Sequence, residues 1–269
     1  MSALERSARQ ASHSEAMGVL ARFGLAVRGF VYLVIGWLAL QIALGHGGQE
    51  ANQRGALATV AQHPFGKVLL WVLGFGFAAY ALWRFSEAAF GTAAEGRKAG
   101  PRVKSLVRGI VYATFAVTTF SFIAGTSRQT QSAQQATLTA KFMKHDYGRW
   151  LVGLAGVIVV VVGLGMVVEG LRRKFEKQLQ MSELHGATRT AVVRLGMVGT
   201  IARGVVFAVA GALVVEAAVN YDATKSTGLD GALRTLADRA YGPWLLAVLA
   251  LGLIAFGAYG LAAARFAKT

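Results

Sequence analysis

The chain has no cysteine, and of its 269 residues only 3 are proline and 13 acidic. Without cysteine there are no disulfides, thiolate metal sites, iron–sulfur clusters or thiol nucleophiles. The three prolines, Pro64, Pro101 and Pro243, do not supply the kinked helices of mitochondrial-type carriers, in which acidic and basic residues follow the proline. Charge is scarce as well, 15% against about 25% in soluble domains. The chain carries no His-Glu-x-x-His, no Gly-x-Ser-x-Gly and no pair of aspartates inside an apolar run, so no nucleophile or metal set converges for catalysis. No histidine sits deep in an apolar run, and no haem or other cofactor is expected.

Apolar residues make up 55% of the chain and the mean hydropathy is +0.48. Six runs, 25–45, 67–89, 106–125, 150–170, 201–220 and 243–264, each approach the roughly 20 residues a helix needs to cross a hydrocarbon core about 30 Å thick. The first run is too long for the apolar part of a secretory signal and is read as a retained helix. A net charge of +15 would suggest nucleic acid in a soluble domain. Here the basic residues stand at the helix ends. Segments 1–24, 91–105, 171–200 and 265–269 hold 15 Lys and Arg, and the opposite loops hold 7. The positive-inside rule then places both termini in the cytoplasm, with Arg172, Arg173 and Lys174 as the strongest anchor. The protein is expected in the bacterial inner membrane. Its basic face would attract anionic lipid at about 1 kcal/mol per residue, a membrane-protein partner is expected, and nucleic acid is not.

One unit is written three times. Val27-Arg28-Gly29-Phe30-Val31-Tyr32 returns around Arg108-Gly109 and again around Arg203-Gly204, each time in a long apolar run. A polar segment and a short helical piece follow, then an aromatic-glycine corner at Phe65-Gly66, Tyr147-Gly148 and Tyr241-Gly242, then a glycine-rich helix. From arginine to corner glycine the separations are 38, 40 and 39 residues. The expected fold is all-α: six transmembrane helices in three parallel two-helix repeats about a pseudo-threefold axis, with short amphipathic helices on the outer face. The expected divisions are a polar, partly disordered segment 1–22, repeats at 23–90, 106–170 and 201–266, and linkers at 91–105 and 171–200. Phe65, Phe142, Tyr147, Trp150, Tyr241 and Trp244 are assigned to an interfacial aromatic belt. The abundant span glycines permit close helix approach, which is also the better reading of Gly74-Phe75-Gly76 than a dinucleotide fingerprint.

The Arg-Gly-Val/Ile-Val-Tyr opening, the Gly-Ala-Leu piece ending in Tyr/Phe-Gly, and the glycine-rich second helix resemble the bacterial membrane family known as domain of unknown function 1206. The resemblance covers about residues 20–266 and implies three two-helix units in a membrane. It carries over no catalytic residue. The second copy departs most, with Ala136-Thr137-Leu138 where the others have Gly-Ala-Leu.

Three sets of residues are candidates for function. Gln41, Ser121 and Glu216 occupy equivalent depths and form a candidate intramembrane polar cluster, because carboxylates at such positions often mark ion or proton paths. Arg28, Arg108 and Arg203 recur at one end of the repeats, and Glu87 and Glu169 stand 21 residues past their corner glycines. They are expected to form an ion-pair belt at the cytoplasmic ends, beginning with Arg28 and Glu87. His63 and His145 share a repeat position and are weak metal candidates, since structural zinc wants about four ligands.

These readings favour a non-enzymatic accessory or scaffold subunit of a membrane complex. The alternative is a small carrier or proton- or ion-coupled transporter working through the polar cluster, and the third is a membrane enzyme or pigment- or haem-associated protein. Cysteine-accessibility labelling suits a chain with no native cysteine. A cysteine near Arg172 should be labelled only from the cytoplasmic side and one near Thr126 only from outside; the reverse pattern inverts the topology.

Overall fold

The structure, a computed structural model, describes residues 15–46, 48–91, 99–126, 130–145, 147–238 and 240–266. Nine α-helices account for most of them: α1 (Glu15–Ala43), α2 (Gln53–Ala61), α3 (Gly66–Phe90), α4 (Ala99–Ile123), α5 (Gln131–Met143), α6 (Gly148–Leu171), α7 (Gly186–Val219), α8 (Gly228–Ala237) and α9 (Gly242–Phe266). Six of these are long and apolar enough to cross a membrane, and the chain is a multi-pass membrane protein. The prolines sit where their missing N–H costs nothing: Pro101 and Pro243 lie in the first turns of α4 and α9, and Pro64 lies in the turn before α3. Asn52 and Thr130 cap α2 and α5 through their side-chain oxygens. At each corner a β-carbon on Gly66, Gly148 or Gly242 would collide with a carbonyl of the preceding short helix, so only glycine lets the chain turn there.

Most of the expected 1–22 segment, residues 1–14, lies outside the described residues. The repeated Arg-Gly does not open its helix. The first helix of every copy begins more than two turns earlier, at Glu15, Ala99 and Gly186, and α4 therefore takes up the end of the segment expected as the linker 91–105.

The closest packing runs between copies: α3 against α4, α6 against α7, and α9 against α1. The residues that meet fix the directions. Gly29 faces Gly257 and Gly36 faces Ile254, Gly163 faces Gly204 and Gly156 faces Gly211, and Gly109 faces Phe85. Each pair is antiparallel, so α1, α4 and α7 run one way and α3, α6 and α9 the other. The glycine after each repeated arginine is thus the contact with the second helix of the preceding copy. A β-carbon on Gly163 or Gly204 would lie 2.7 Å from the other's carbonyl oxygen. Lipid supplies no hydrophobic incentive for association, and backbone approach of this kind replaces it.

Within a copy, α1 meets α3 through Gly24 on Tyr80 and Gly76 on Val27, and α7 meets α9 through Gly199 on Phe256 and Gly252 on Ala202. The middle copy lacks this seam. The corresponding positions hold Lys104 and Ile158, and α4 and α6 make no extended contact among the described residues. The apolar windows of α1, α3, α7 and α9 are 44% to 56% buried, but those of α4 and α6 only 22% and 17%.

At the end away from the termini, α2, α5 and α8 lock into a cap. Leu57 and Leu233 of the two Gly-Ala-Leu pieces are fully buried, while Leu138 of the middle copy is exposed. The copies are linked in turn here. Glu50 accepts the Gln131 and Ser132 amides at the start of α5, Thr139 donates to Ser226, and Asp230 accepts the Ala51 amide. Burial acts to raise the Glu50 carboxyl, but donors from Asn52, Ser132 and Gln131 more than offset it and hold it below the usual carboxylate range. Phe65, Tyr147, Trp150, Tyr241 and Trp244 are exposed around this end, as a belt at the bilayer boundary requires.

Gly163→Leu should cost about 1–3 kcal/mol by overpacking the α6–α7 seam. Gly165→Leu, two residues away with nothing within 4 Å of its β-carbon, should leave stability in lipid-free detergent unchanged. Equal melting losses for the two variants would contradict this seam.

Candidate functional site

The seam glycines bring the repeated arginines together. Arg28, Arg108 and Arg203 each precede the glycine that packs on the neighbouring copy, and each stands about 22–24 Å from the cap end of its helix at 1.5 Å per residue. In a core about 30 Å thick, that depth is the third nearest the termini. A fourth arginine, Arg84 of α3, joins them. Tyr80 ties Arg28 to Arg84: its hydroxyl accepts from Arg28 Nη1 at 3.2 Å and from Arg84 Nη2 at 2.7 Å. Arg108 lies within electrostatic reach of both arginines and of Tyr80.

Aromatic faces line the cluster. Arg84 sits 4.0 Å above the Trp83 ring, and Arg28 and Arg203 lie 5.2 Å and 5.0 Å from the centroid of Phe256. Arg203 also covers Tyr32 and Phe207. Tyr80 packs on Tyr112 with centroids 4.4 Å apart, and Tyr32 meets Phe256 edge-on at 4.8 Å. Cation–π contacts contribute about 0.5–2 kcal/mol each, well short of the several kcal/mol that desolvating an ion costs. The deficit shows in the hydrogen bonding. The Nε atoms of Arg28, Arg84 and Arg203 are buried with no partner, and Arg108 and Arg203 make no hydrogen bond or ion pair among the described residues.

Two acids are in reach, and they do not form the expected belt. Glu87 pairs with Arg84 at 2.6 Å, three residues away on α3, and accepts Ser105 Oγ of α4 at 2.9 Å. The expected Arg28–Glu87 pair is absent because Arg28 turns to the Tyr80 hydroxyl. Glu169, half-buried near the end of α6, makes no direct ion pair among the described residues. The balance is four guanidinium groups against two carboxylates. Such an arrangement can bind an anion through charge and directed N–H donors together.

The other candidate residues lie elsewhere. Glu216 is in the last turn of α7, exposed, and bonded to Lys225 beyond the helix end. Ser121 lines a cavity of about 600 Å³ along α4, with Phe85, Ile110, Thr114, Val117 and Thr118, which none of the four arginines lines. Gln41 is half-buried near the end of α1, and the described residues show no hydrogen bond joining Gln41, Ser121 and Glu216. His63 and His145 are exposed, one His145 ring nitrogen lying 3.2 Å from the Lys141 carbonyl. No group of three or more metal-ligating side chains occurs among the described residues.

Sequence reasoning missed Arg84 and the aromatic cradle. Counted from the corner glycine, Tyr80 and Phe256 share one position and Trp83 and Tyr259 another, whereas the middle copy has Val162 and Gly165. The alignment of the copies held that signal. Arg84 left none, because Met166 and Gly260 occupy its counterparts.

The family described as Domain of Unknown Function (DUF1206) matches the chain three times, over residues 23–91, 103–173 and 198–267. A Bacillus subtilis (strain 168) protein, Uncharacterized protein YxxB, is 30% identical over 243 residues, which cover 89% of this chain and 87% of that protein. No solved structure matches the chain.

Glu87→Gln should cost about 3–5 kcal/mol, because it leaves Arg84 buried without its counter-charge. Glu216→Gln, at an exposed pair, should cost about 0–1 kcal/mol. Melting curves of the two variants check the contrast, and equal losses would contradict the burial of the Arg84–Glu87 pair.

Proposed function

The chain belongs to the DUF1206 family, and from that premise we propose a non-enzymatic membrane protein that binds an anionic ligand inside its helix bundle. The surplus of arginine carries this reading: Arg84 is buried and Arg28, Arg108 and Arg203 are half-buried, the four guanidinium groups share two carboxylates, and three buried Nε atoms have no acceptor. Arginine at bilayer depth is expensive, and where it occurs it is commonly tied to a ligand or ion path. The protein acts as an accessory subunit that holds its ligand rather than passing it through. Supporting retention, Ile35, Leu38, Leu57, Leu233, Leu246 and Leu253 are all buried in the apolar core. It resides in the bacterial cytoplasmic membrane with both termini cytoplasmic, a placement supported by the 15-to-7 division of basic residues.

Purified protein should melt higher when phosphate or sulfate replaces chloride at constant ionic strength. Each kcal/mol of binding linkage should add about 2–4 °C. Arg108→Gln should lose that response. Identical melting in all three anions would overturn the reading.

A further inference from the structure

The middle copy is open where the other two are closed. In the first and third copies, small residues at matched positions bring the two long helices together: Gly24 and Gly76 for α1 and α3, Gly199 and Gly252 for α7 and α9. In the middle copy these positions hold Lys104 and Ile158, and the aromatics that line the arginine cluster from the other two copies are replaced by Val162 and Gly165. The consequence is visible in exposure. Val107 and Val111 of α4 are 55% and 41% exposed, Ile158 and Val162 of α6 are 54% and 47% exposed, and nothing lies within 4 Å of a β-carbon on Gly165. The faces that should meet form the apolar walls of a slot. Arg108 and Glu169 stand one on each wall at its termini end, and Tyr112, one turn from Arg108, packs at 4.4 Å on Tyr80 of the arginine cluster.

We propose that this slot admits one anionic phospholipid from the leaflet nearest the termini, with its phosphate held by Arg108 and Arg28 and an acyl chain lying between α4 and α6. The proposal rests on the anion-binding reading and adds the ligand's class and its route. Three observations select a lipid over a soluble anion. The slot lies within the span of two membrane-crossing helices, Val107, Val111, Ile158 and Val162 make its walls aliphatic beside the cluster, with Thr114 and Thr118 further along α4, and the charge surplus sits at its termini end, in the third of the core next to one leaflet's headgroups. From Arg108 to the end of α4 the slot runs about 22 Å at 1.5 Å per residue, enough for one extended chain. An amphiphile with its charge at one end and an aliphatic chain along the walls matches both features, and a small hydrophilic anion matches only the first.

Native mass spectrometry of the purified protein with phosphatidylglycerol or phosphatidylcholine tests the proposal, alongside melting in inorganic phosphate. One phosphatidylglycerol should be retained at about tenfold lower concentration than phosphatidylcholine. Gly165→Tyr, which fills the slot, should abolish that preference and leave the phosphate-induced shift intact. Val162→Phe serves as a second slot-filling variant should the first misfold. Val248→Trp, on an exposed face of α9, should change neither. If phosphate stabilises but phosphatidylglycerol is held no better than phosphatidylcholine, or the slot variants keep the preference, the lipid proposal fails and the anion reading stands. If neither phosphate nor phosphatidylglycerol binds, both fall.

Discussion

A guanidinium removed from water must recover its lost hydration from its neighbours, and within this bundle the recovery is partial. Arg84 is the most complete case, with Glu87, the Tyr80 hydroxyl and the Trp83 face around it. Arg28 has one hydroxyl and two rings, and Arg203 has rings alone. A ring quadrupole attracts a cation but offers no acceptor to each N–H, so the electrostatic need is met before the hydrogen-bonding need. The aromatic residues around the arginines follow from this. They are the least polar side chains that can still favour a buried charge.

The glycine seams and the arginines belong to one device. A glycine on the helix face lets the neighbouring copy's backbone approach, and the arginine one residue earlier is thereby brought toward the other arginines. Repeating the dipeptide three times places three like charges near one another, an arrangement that would be unfavourable unless something offsets it. Glu87 offsets one positive charge of the cluster. The middle copy meanwhile gives up the small residues that would close it. Its open side is a departure from the repeat at four matched positions, Lys104, Ile158, Val162 and Gly165, and so a property of this copy rather than of the fold.

Much of this was legible in the chain. Apolar run length gave six spans, and the Arg-Gly and aromatic-Gly recurrences gave three copies, the number of times the family model matches. Helix starts were misread because apolarity ends before helicity does: Glu15 and Gly186 begin helices whose first turns are polar. Counting from Arg203 gives the height of Glu216 along α7 but not its partner, Lys225, which lies beyond the helix end. The Arg28–Glu87 pairing was inferred from matching depth. Depth cannot tell which neighbour a side chain turns to, and Arg84, one turn from Glu87 on the same helix, has the shorter reach.

The central claim is that the arginine surplus within the bundle is met by an anionic group. An experimental density map of the protein in a bilayer containing anionic lipid tests it most directly. The account predicts density for a phosphate-sized group within hydrogen-bond distance of Arg28 and Arg108, continuous with density between α4 and α6. A map in which those guanidinium groups are instead fully satisfied by protein side chains, with α4 and α6 closed together, would contradict it.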